Sequence, residues 1–153
     1  RGSCHLSVLE GGELVVLHQQ EGTDPITVHV RPGSRYPATR TSSGPLLLSR
    51  LGEAERDYAL GRDAHYLSLG SRARKEMLSV IESLRDKTWW LNRSATVHPA
   101  VSDIVAPVCM YDNRYAALGV PIFQNSFAHF KVERLCRRIA RAAAQIETAL
   151  GAR

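Results

Sequence analysis

The sequence predicts an α/β fold in which a central, mostly antiparallel sheet is flanked by helices. Segments of alternating apolar and polar residues form two groups, tight turns join the strands within each group, and a long amphipathic segment closes the chain. Strands joined by tight turns pair antiparallel, whereas a doubly wound parallel sheet needs strands that alternate with helices. With 153 residues, the chain is long enough for one domain with its own core.

The first group of strands stands at the start of the chain. The segment CHLSVLE (residues 4–10) alternates with a period of two, and a Gly-Gly pair predicts a hairpin to the returning strand ELVVLHQQ (residues 13–20). After the turn EGTDP, the segment ITVHV (residues 26–30) predicts a third strand. The proline- and glycine-containing residues 31–44 are predicted to form a loop.

Helices are predicted in the middle of the chain. The loop leads into a helix through residues 46–51, and GEAERDYALG (residues 52–61) predicts a second short helix. Ser71 is positioned to cap a longer helix, because apolar residues recur on one helical face between residues 77 and 84.

The second group of strands follows these helices. The segment TWWLN (residues 88–92) predicts one strand, and DIVAPVCMY (residues 103–111) and RYAALGVPIF (residues 114–123) predict two more around an Asp-Asn turn. The closing helix is predicted from about residue 127 to residue 150, since its apolar residues form a continuous stripe.

The charge of the chain permits anionic partners without identifying one. The net charge is +5, and several basic residues recur at helical spacing in the closing helix. Such a row is typical of a nucleic-acid-binding face or of a solvated helix face, and the lack of a recognition motif favours the solvated face. The basic residues are Lys131, Arg134, Arg137, Arg138 and Arg141.

Other features of the composition restrict the compartment. No apolar run approaches the ~18 residues of a membrane span, so we expect no membrane partner. Cys4, Cys109 and Cys136 are far apart and form no Cys-x-x-Cys pair. They predict buried free thiols in a reducing cytoplasm.

Catalytic and cofactor motifs are absent from the sequence. It contains no Gly-x-Ser-x-Gly elbow, no phosphate-binding glycine loop and no histidine pair at metal-ligand spacing. We therefore expect no enzyme activity, no cofactor and no metal. His5, His18 and His29 fall in predicted strands and are expected to be satisfied there, whereas His98, in a loop before Pro99, is a candidate pocket residue.

The end of the predicted loop has the composition of a helix start. Thr41, Ser42, Ser43 and Gly44 stand there, and a hydroxyl at this point can cap free backbone N–H groups. The remaining N–H groups and the positive end of the helix dipole attract a carboxylate or a phosphate. The residues alone suit a plain cap as well as a ligand site.

Four segments, in the same order along the chain, resemble the effector-binding domain of IclR-type bacterial transcriptional regulators. They are GELVVLHQQEG, VRPGSRYPATRTSSGPLLL, VSDIVAPVCMYDNRYAALGVPIF and ERLCRRIARAAAQIETALG. The resemblance implies a GAF-like fold with a pocket for a small organic acid, and a homodimer or homotetramer. It also implies a winged helix-turn-helix domain upstream of these residues, through which alone the protein would bind DNA.

The resemblance further implies which residues line the pocket. Arg93 could clamp a carboxylate with two parallel hydrogen bonds, or it could be a surface arginine at the end of a strand. It stands where some members carry an acidic residue, and Gly119-Val-Pro-Ile stands where many carry Ser-x-Ser-Gly. The TWWLNRSATVHP segment resembles members that regulate the breakdown of aromatic acids. The implied pocket residues are Val28, Val30, Ser42, Ser43, Gly44, Arg93, Asp103 and Gly119, and the helix start adds Thr41.

A second class of function stays open on the sequence alone. The chain could be a stand-alone GAF-like binder of small molecules, or an enzyme, with no role at DNA. A helix-turn-helix pattern in the upstream reading frame would favour the regulator, and its absence would favour the alternative.

Overall fold

The computed structural model describes residues 2–93, 100–124 and 131–151. Within them the strands are β1 (Cys4–Glu10), β2 (Glu13–Gln20), β3 (Arg35–Pro37), β4 (Trp90–Asn92), β5 (Val101–Cys109) and β6 (Tyr115–Phe123). The helices are α1 (Ser43–Leu48), α2 (Glu53–Leu60), α3 (Ala64–Ser68), α4 (Ser71–Ser83) and α5 (Val132–Ala149). Short 3-10 turns cover Ala38–Arg40 and Tyr111–Asn113.

The strands form one six-stranded sheet in the order β3-β2-β1-β6-β5-β4, and each neighbouring pair is antiparallel. The predicted α/β fold with an antiparallel sheet is therefore confirmed. The hairpins β1–β2 and β5–β6 lie side by side, so that the first strand pairs with the last. The predicted turn between β5 and β6 is also confirmed, with positive φ angles at Asp112 and Asn113.

The predicted third strand is wrong. Residues 26–30 are not a strand, and β3 lies in the segment predicted to be a loop. The chain turns back at Gly33, whose N–H donates to the Val16 carbonyl at 2.7 Å, and the Val16 N–H donates to Ser34 at 3.0 Å. Because residues 34–37 occupy the free edge of β2, residues 26–30 have no ladder to join.

The helices differ from their predicted bounds in three places. The first begins at Ser43 rather than at residue 46. The five-residue α3 was not predicted, and Asp63 caps it by accepting the Tyr66 N–H at 2.8 Å. At α4, Gly70 is the cap residue and Ser71 makes no capping bond. The predicted start of the last helix lies outside the described residues.

The sheet has two buried faces, since successive side chains of a strand point to opposite sides. We call the side covered by α5 the α5 face; its core is Ile104, Ala106, Val108, Ala116, Leu118 and Ile122 with Cys136, Ile139 and Ala143. The other side, covered by α1, is the α1 face. Its buried apolar residues are Leu14, Leu46, Leu47, Leu48, Val105 and Ala117.

The cysteines agree only in part with the prediction of buried free thiols. All three cysteines are free; Cys136 is buried, and Cys4 and Cys109 are half-buried. Among the helices of the described residues, none combines the length and the apolar character that crossing a membrane requires.

Candidate functional site

The start of α1 is held by contacts within the chain. The Thr41 hydroxyl accepts the Gly44 N–H at 3.0 Å and donates to the Ala38 carbonyl at 2.9 Å. A Cβ added at Gly44 would lie 1.9 Å from the Ala38 oxygen, so only glycine allows this approach. Thr41 and Gly44 therefore have a capping and packing role in this arrangement.

Ser42 connects the start of α1 to the sheet. Its hydroxyl donates to Asp103 Oδ2 at 2.7 Å and accepts from Asn92 Nδ2 at 3.1 Å. Asn92 and Asp103 are partners in the β4–β5 ladder. Ser43 is buried beside Ser42, with 2% of its surface exposed. Three polar side chains from three elements thus meet at one end of the α1 face.

His5 and Gly119 extend this group across the sheet. They are ladder partners on β1 and β6. A Cβ at Gly119 would lie 2.4 Å from His5 Nε2, so the imidazole lies directly against the glycine. We call His5, Ser42, Asn92, Asp103 and Gly119 the polar cluster.

The electrostatics of His5 follow from its burial. The residue is 9% exposed, and its Nδ1 has no hydrogen-bond partner among the described residues. Burial lowers the pKa of the His5 imidazole, and the Asp103 carboxylate acts in the opposite direction with a smaller effect. The imidazole is therefore neutral at pH 7.

Val28 and Val30 border the polar cluster, although they do not lie on a strand. The Ser3 hydroxyl donates to the Val28 carbonyl at 2.6 Å, and the Val30 N–H donates to Gln19 Oε1. Gln19 is the β2 partner of His5. The backbone at the half-buried Val28 and Val30 is therefore joined to Ser3 and Gln19, the neighbours of His5.

Arg93 is not brought into the polar cluster. It is exposed and follows Asn92, the last residue of β4. Leu91 packs in the core of the α5 face, and alternation directs residue 93 to the same side. Burial raises the pKa of the Cys136 thiol on α5, and the positive charge of Arg93 acts in the opposite direction with a smaller effect. His98 lies outside the described residues.

A cleft of about 910 Å³ lies at the opposite end of the α1 face, and none of the predicted pocket residues lines it. Leu47, Tyr58 and Tyr115 form part of its wall. Arg50, also in the wall, donates to the Leu84 carbonyl at 2.9 Å and lies over the Tyr115 ring. Its guanidinium is therefore already engaged by the protein.

Sequence reasoning missed His5 and Asn92, and the Ser3 and Gln19 contacts that adjoin them. A signal for His5 was present in SCHLS, where alternation puts Ser3, His5 and Ser7 on one face and Cys4 and Leu6 on the other. All three polar residues are buried, and the Ser7 hydroxyl, like His5 Nδ1, has no partner among the described residues. Burial of an entire polar face was the unexpected feature. No group of three metal-ligating side chains occurs in the described part of the chain.

Known proteins resemble the whole chain. Residues 1–148 match the family described as bacterial transcriptional regulator IclR C-terminal. The protein named "Probable transcriptional regulator SauR" from Cupriavidus necator is 43% identical over 54 residues, which are 35% of this chain and 21% of that protein.

Two solved structures share the fold. An IclR homolog from Microbacterium hydrocarbonoxydans, complexed with 4-hydroxybenzoate, superposes with a TM-score of 0.80 at 21% identity, over 100% of this chain and 62% of that chain. The repressor BlcR from Agobacterium tumefaciens superposes with a TM-score of 0.74 at 22% identity, over 97% of this chain. The match covers 59% of the BlcR chain, so this chain spans less than two thirds of either protein.

Proposed function

The chain belongs to the IclR C-terminal family of bacterial transcriptional regulators, and from this premise we propose that it senses a small organic acid for such a regulator. The family consists of transcriptional regulators rather than enzymes. We further propose that the acid binds at the polar cluster. DNA would then be bound by a separate winged helix-turn-helix domain, and the protein would act in the cytoplasm.

One observation carries the choice of site: polar atoms without partners are buried at this end of the α1 face. His5 Nδ1 and the Ser7 hydroxyl are both buried without a partner among the described residues. Leaving such an atom unsatisfied costs about 1–3 kcal/mol. Ser102 Oγ on the α5 face and Arg56 Nε on α2 are also buried without a partner among the described residues, but each stands alone. His5 and Ser7 place two such groups on one face of β1 beside the polar cluster, where one ligand can supply both missing partners.

The surroundings of the polar cluster suit an aromatic acid. One row of ladder partners crosses the sheet there, from Gln19 through His5, Gly119 and Val105 to Trp90. Small-molecule sites are mostly apolar, with a few polar groups that orient the ligand. The half-buried indole and valines supply apolar surface beside the imidazole, and the structural neighbour that holds 4-hydroxybenzoate supports this class of ligand.

A thermal-shift screen with 4-hydroxybenzoate, benzoate and other small carboxylic acids tests the proposal. A ligand at ~100 times its dissociation constant adds ~2.7 kcal/mol of stability. Gly119→Ala should abolish the shift, because the added Cβ displaces His5. Ala54→Trp is the matched control, since Ala54 is exposed and lines the cleft at the other end.

The two variants separate the two sites. We expect Ala54→Trp to respond to the acid like the wild type. If Ala54→Trp loses the thermal shift and Gly119→Ala keeps it, the acid binds in the cleft. This result would contradict the proposal. If no acid stabilises the wild type, the proposed ligand class is wrong.

We also propose that the chain forms a homodimer or homotetramer. Family membership supports this, together with exposed apolar side chains such as Ile26 at 75% and Leu17 at 48%. Analytical ultracentrifugation at micromolar concentration should show a dimer or a larger species. A monomer would mean that other parts of the protein make the assembly contacts.

The remaining alternative is a stand-alone binder with no role at DNA. Gel shifts with the full-length protein should show binding to its own promoter and release by the acid. A full-length protein that binds the acid but never discriminates promoter from random duplex would favour the alternative.

A further inference from the structure

We infer that His5 contacts the bound acid and takes up one proton when the acid binds; this inference rests on the proposed function. It assigns to the site a regulatory property, namely that the signal depends on pH as well as on the concentration of the acid.

The geometry provides the first step. The imidazole lies against Gly119, where no side chain can intervene, and this contact restricts the ring. Its Nδ1 is buried and has no partner among the described residues. The Ser7 hydroxyl, two residues along the same face of β1, is also buried and has no partner among the described residues. Because His5 and Ser7 share this face of β1, a carboxylate bound against the face would accept from both.

The charges around His5 provide the second step. Its own strand contributes the uncharged Ser3 and Ser7, β2 contributes Gln19, and β6 contributes Gly119. Ser42, which precedes α1, and Asn92 on β4 are also uncharged. Among the described groups, the Asp103 carboxylate on β5 is the charge that acts on the imidazole.

The balance between burial and charge therefore decides the protonation state of His5. In the free protein, burial outweighs the single carboxylate of Asp103, and the pKa of His5 is lowered. A bound carboxylate adds a second negative charge next to the ring, which raises the pKa. The imidazolium then donates a charge-assisted hydrogen bond to the acid. The proton comes from the solvent.

This coupling predicts how affinity changes with pH. Affinity should strengthen as pH falls from the pKa of the bound state towards the lower pKa of the free state, by at most about tenfold per pH unit. Carboxylic acids with ordinary pKa values stay ionised above pH ~5. Above that pH, a change of affinity with pH therefore comes from a group of the protein and not from the ligand.

Isothermal titration calorimetry with 4-hydroxybenzoate tests the inference. Titrations at pH 7 in two buffers of different ionisation enthalpy measure the number of protons taken up. We expect net uptake by the wild type and none by His5→Gln, which can form hydrogen bonds but cannot be protonated. His18→Gln is the matched control, because His18 lies exposed on β2 and should leave the uptake unchanged.

The outcomes distinguish this inference from the function on which it rests. Binding without proton uptake in the wild type would overturn the role of His5 and leave the proposed function intact. No binding would contradict the proposed function for this acid and remove the inference with it. If His5→Gln fails to fold, the His5 imidazole can be titrated by NMR in the wild type; a pKa that does not rise when 4-hydroxybenzoate binds would overturn the inference.

Discussion

The two faces of the central sheet are built from the same strands but differ in composition. On the α5 face, apolar side chains such as Ile104, Val108 and Leu118 pack against α5. On the α1 face, the middle is equally apolar, but one end carries the buried His5, Ser42 and Asn92 and the half-buried Asp103. Under the proposed function, the α5 face supplies stability, whereas one end of the α1 face keeps polar atoms available for a ligand.

The largest effect on stability is expected on the α5 face. Ile104→Ala should lower the free energy of unfolding by about 2–5 kcal/mol, because it leaves a cavity in a fully buried cluster. Urea denaturation measures the loss. The milder Ile104→Val should lower it by about 0.5–1.5 kcal/mol. A loss below that of the valine variant would mean that the α5 face is not the main source of stability.

A smaller loss of stability is expected when a side chain is added at Gly119 in the polar cluster. Gly119→Ala should destabilise by about 1–3 kcal/mol, since the new Cβ would overlap the His5 ring. Removing the ring in His5→Ala/Gly119→Ala should recover part of the loss. A double-mutant cycle measures the coupling, and strictly additive effects would argue against the close contact.

The pH dependence of stability is expected to be smaller again. Because burial lowers the pKa of His5, the unfolded chain binds a proton that the folded chain does not, so stability falls as pH drops below ~6.5 towards the lowered pKa. The slope cannot exceed about 1.4 kcal/mol per pH unit for one group. His5→Gln should flatten this part of the curve, measured by urea denaturation between pH 7.5 and pH 5. If the slope is unchanged in His5→Gln, the pH dependence of stability comes from other groups.

The smallest effect is expected at Arg93, on the other side of β4. Arg93→Lys should change stability by less than about 0.5 kcal/mol, as is usual for an exposed site. It should also leave the affinity for acids unchanged. If Arg93→Lys weakens the binding of carboxylic acids but not of their amide analogues, Arg93 binds the carboxylate as the sequence suggested.

The sequence predicted the parts of the fold that depend on local signals. Alternation and tight turns located β1, β2, β5 and β6 to within about two residues. The third strand was wrong because the β-branched ITVHV and the later RYP compete for one edge, and the turn at Gly33 decides between them. The short α3 depends on Asp63, whose carboxylate also accepts from Thr39, a contact that no local pattern reveals.

The polar cluster, which we propose as the site, was predicted only in part, for a similar reason. Ser42, Asp103 and Gly119 were expected from family resemblance, and the structure brings them together at the polar cluster. His5 and Asn92 were not assigned, because alternation such as that in SCHLS shows which residues share a face but not which face α1 covers. The same uncertainty applied to Arg93. Neighbouring residues of a strand point to opposite faces, so Arg93 lies on the other side of the sheet from Asn92.

The central claim is that the polar end of the α1 face, and not the apolar α5 face, binds the effector. It is tested most directly by calorimetric titration of 4-hydroxybenzoate into Gly119→Ala and Ile104→Val, one variant for each face, at a temperature where both are folded. The account predicts that Gly119→Ala binds at least about tenfold more weakly than the wild type, a difference of ~1.4 kcal/mol, while Ile104→Val binds like the wild type. Equal affinities in the two variants would contradict it.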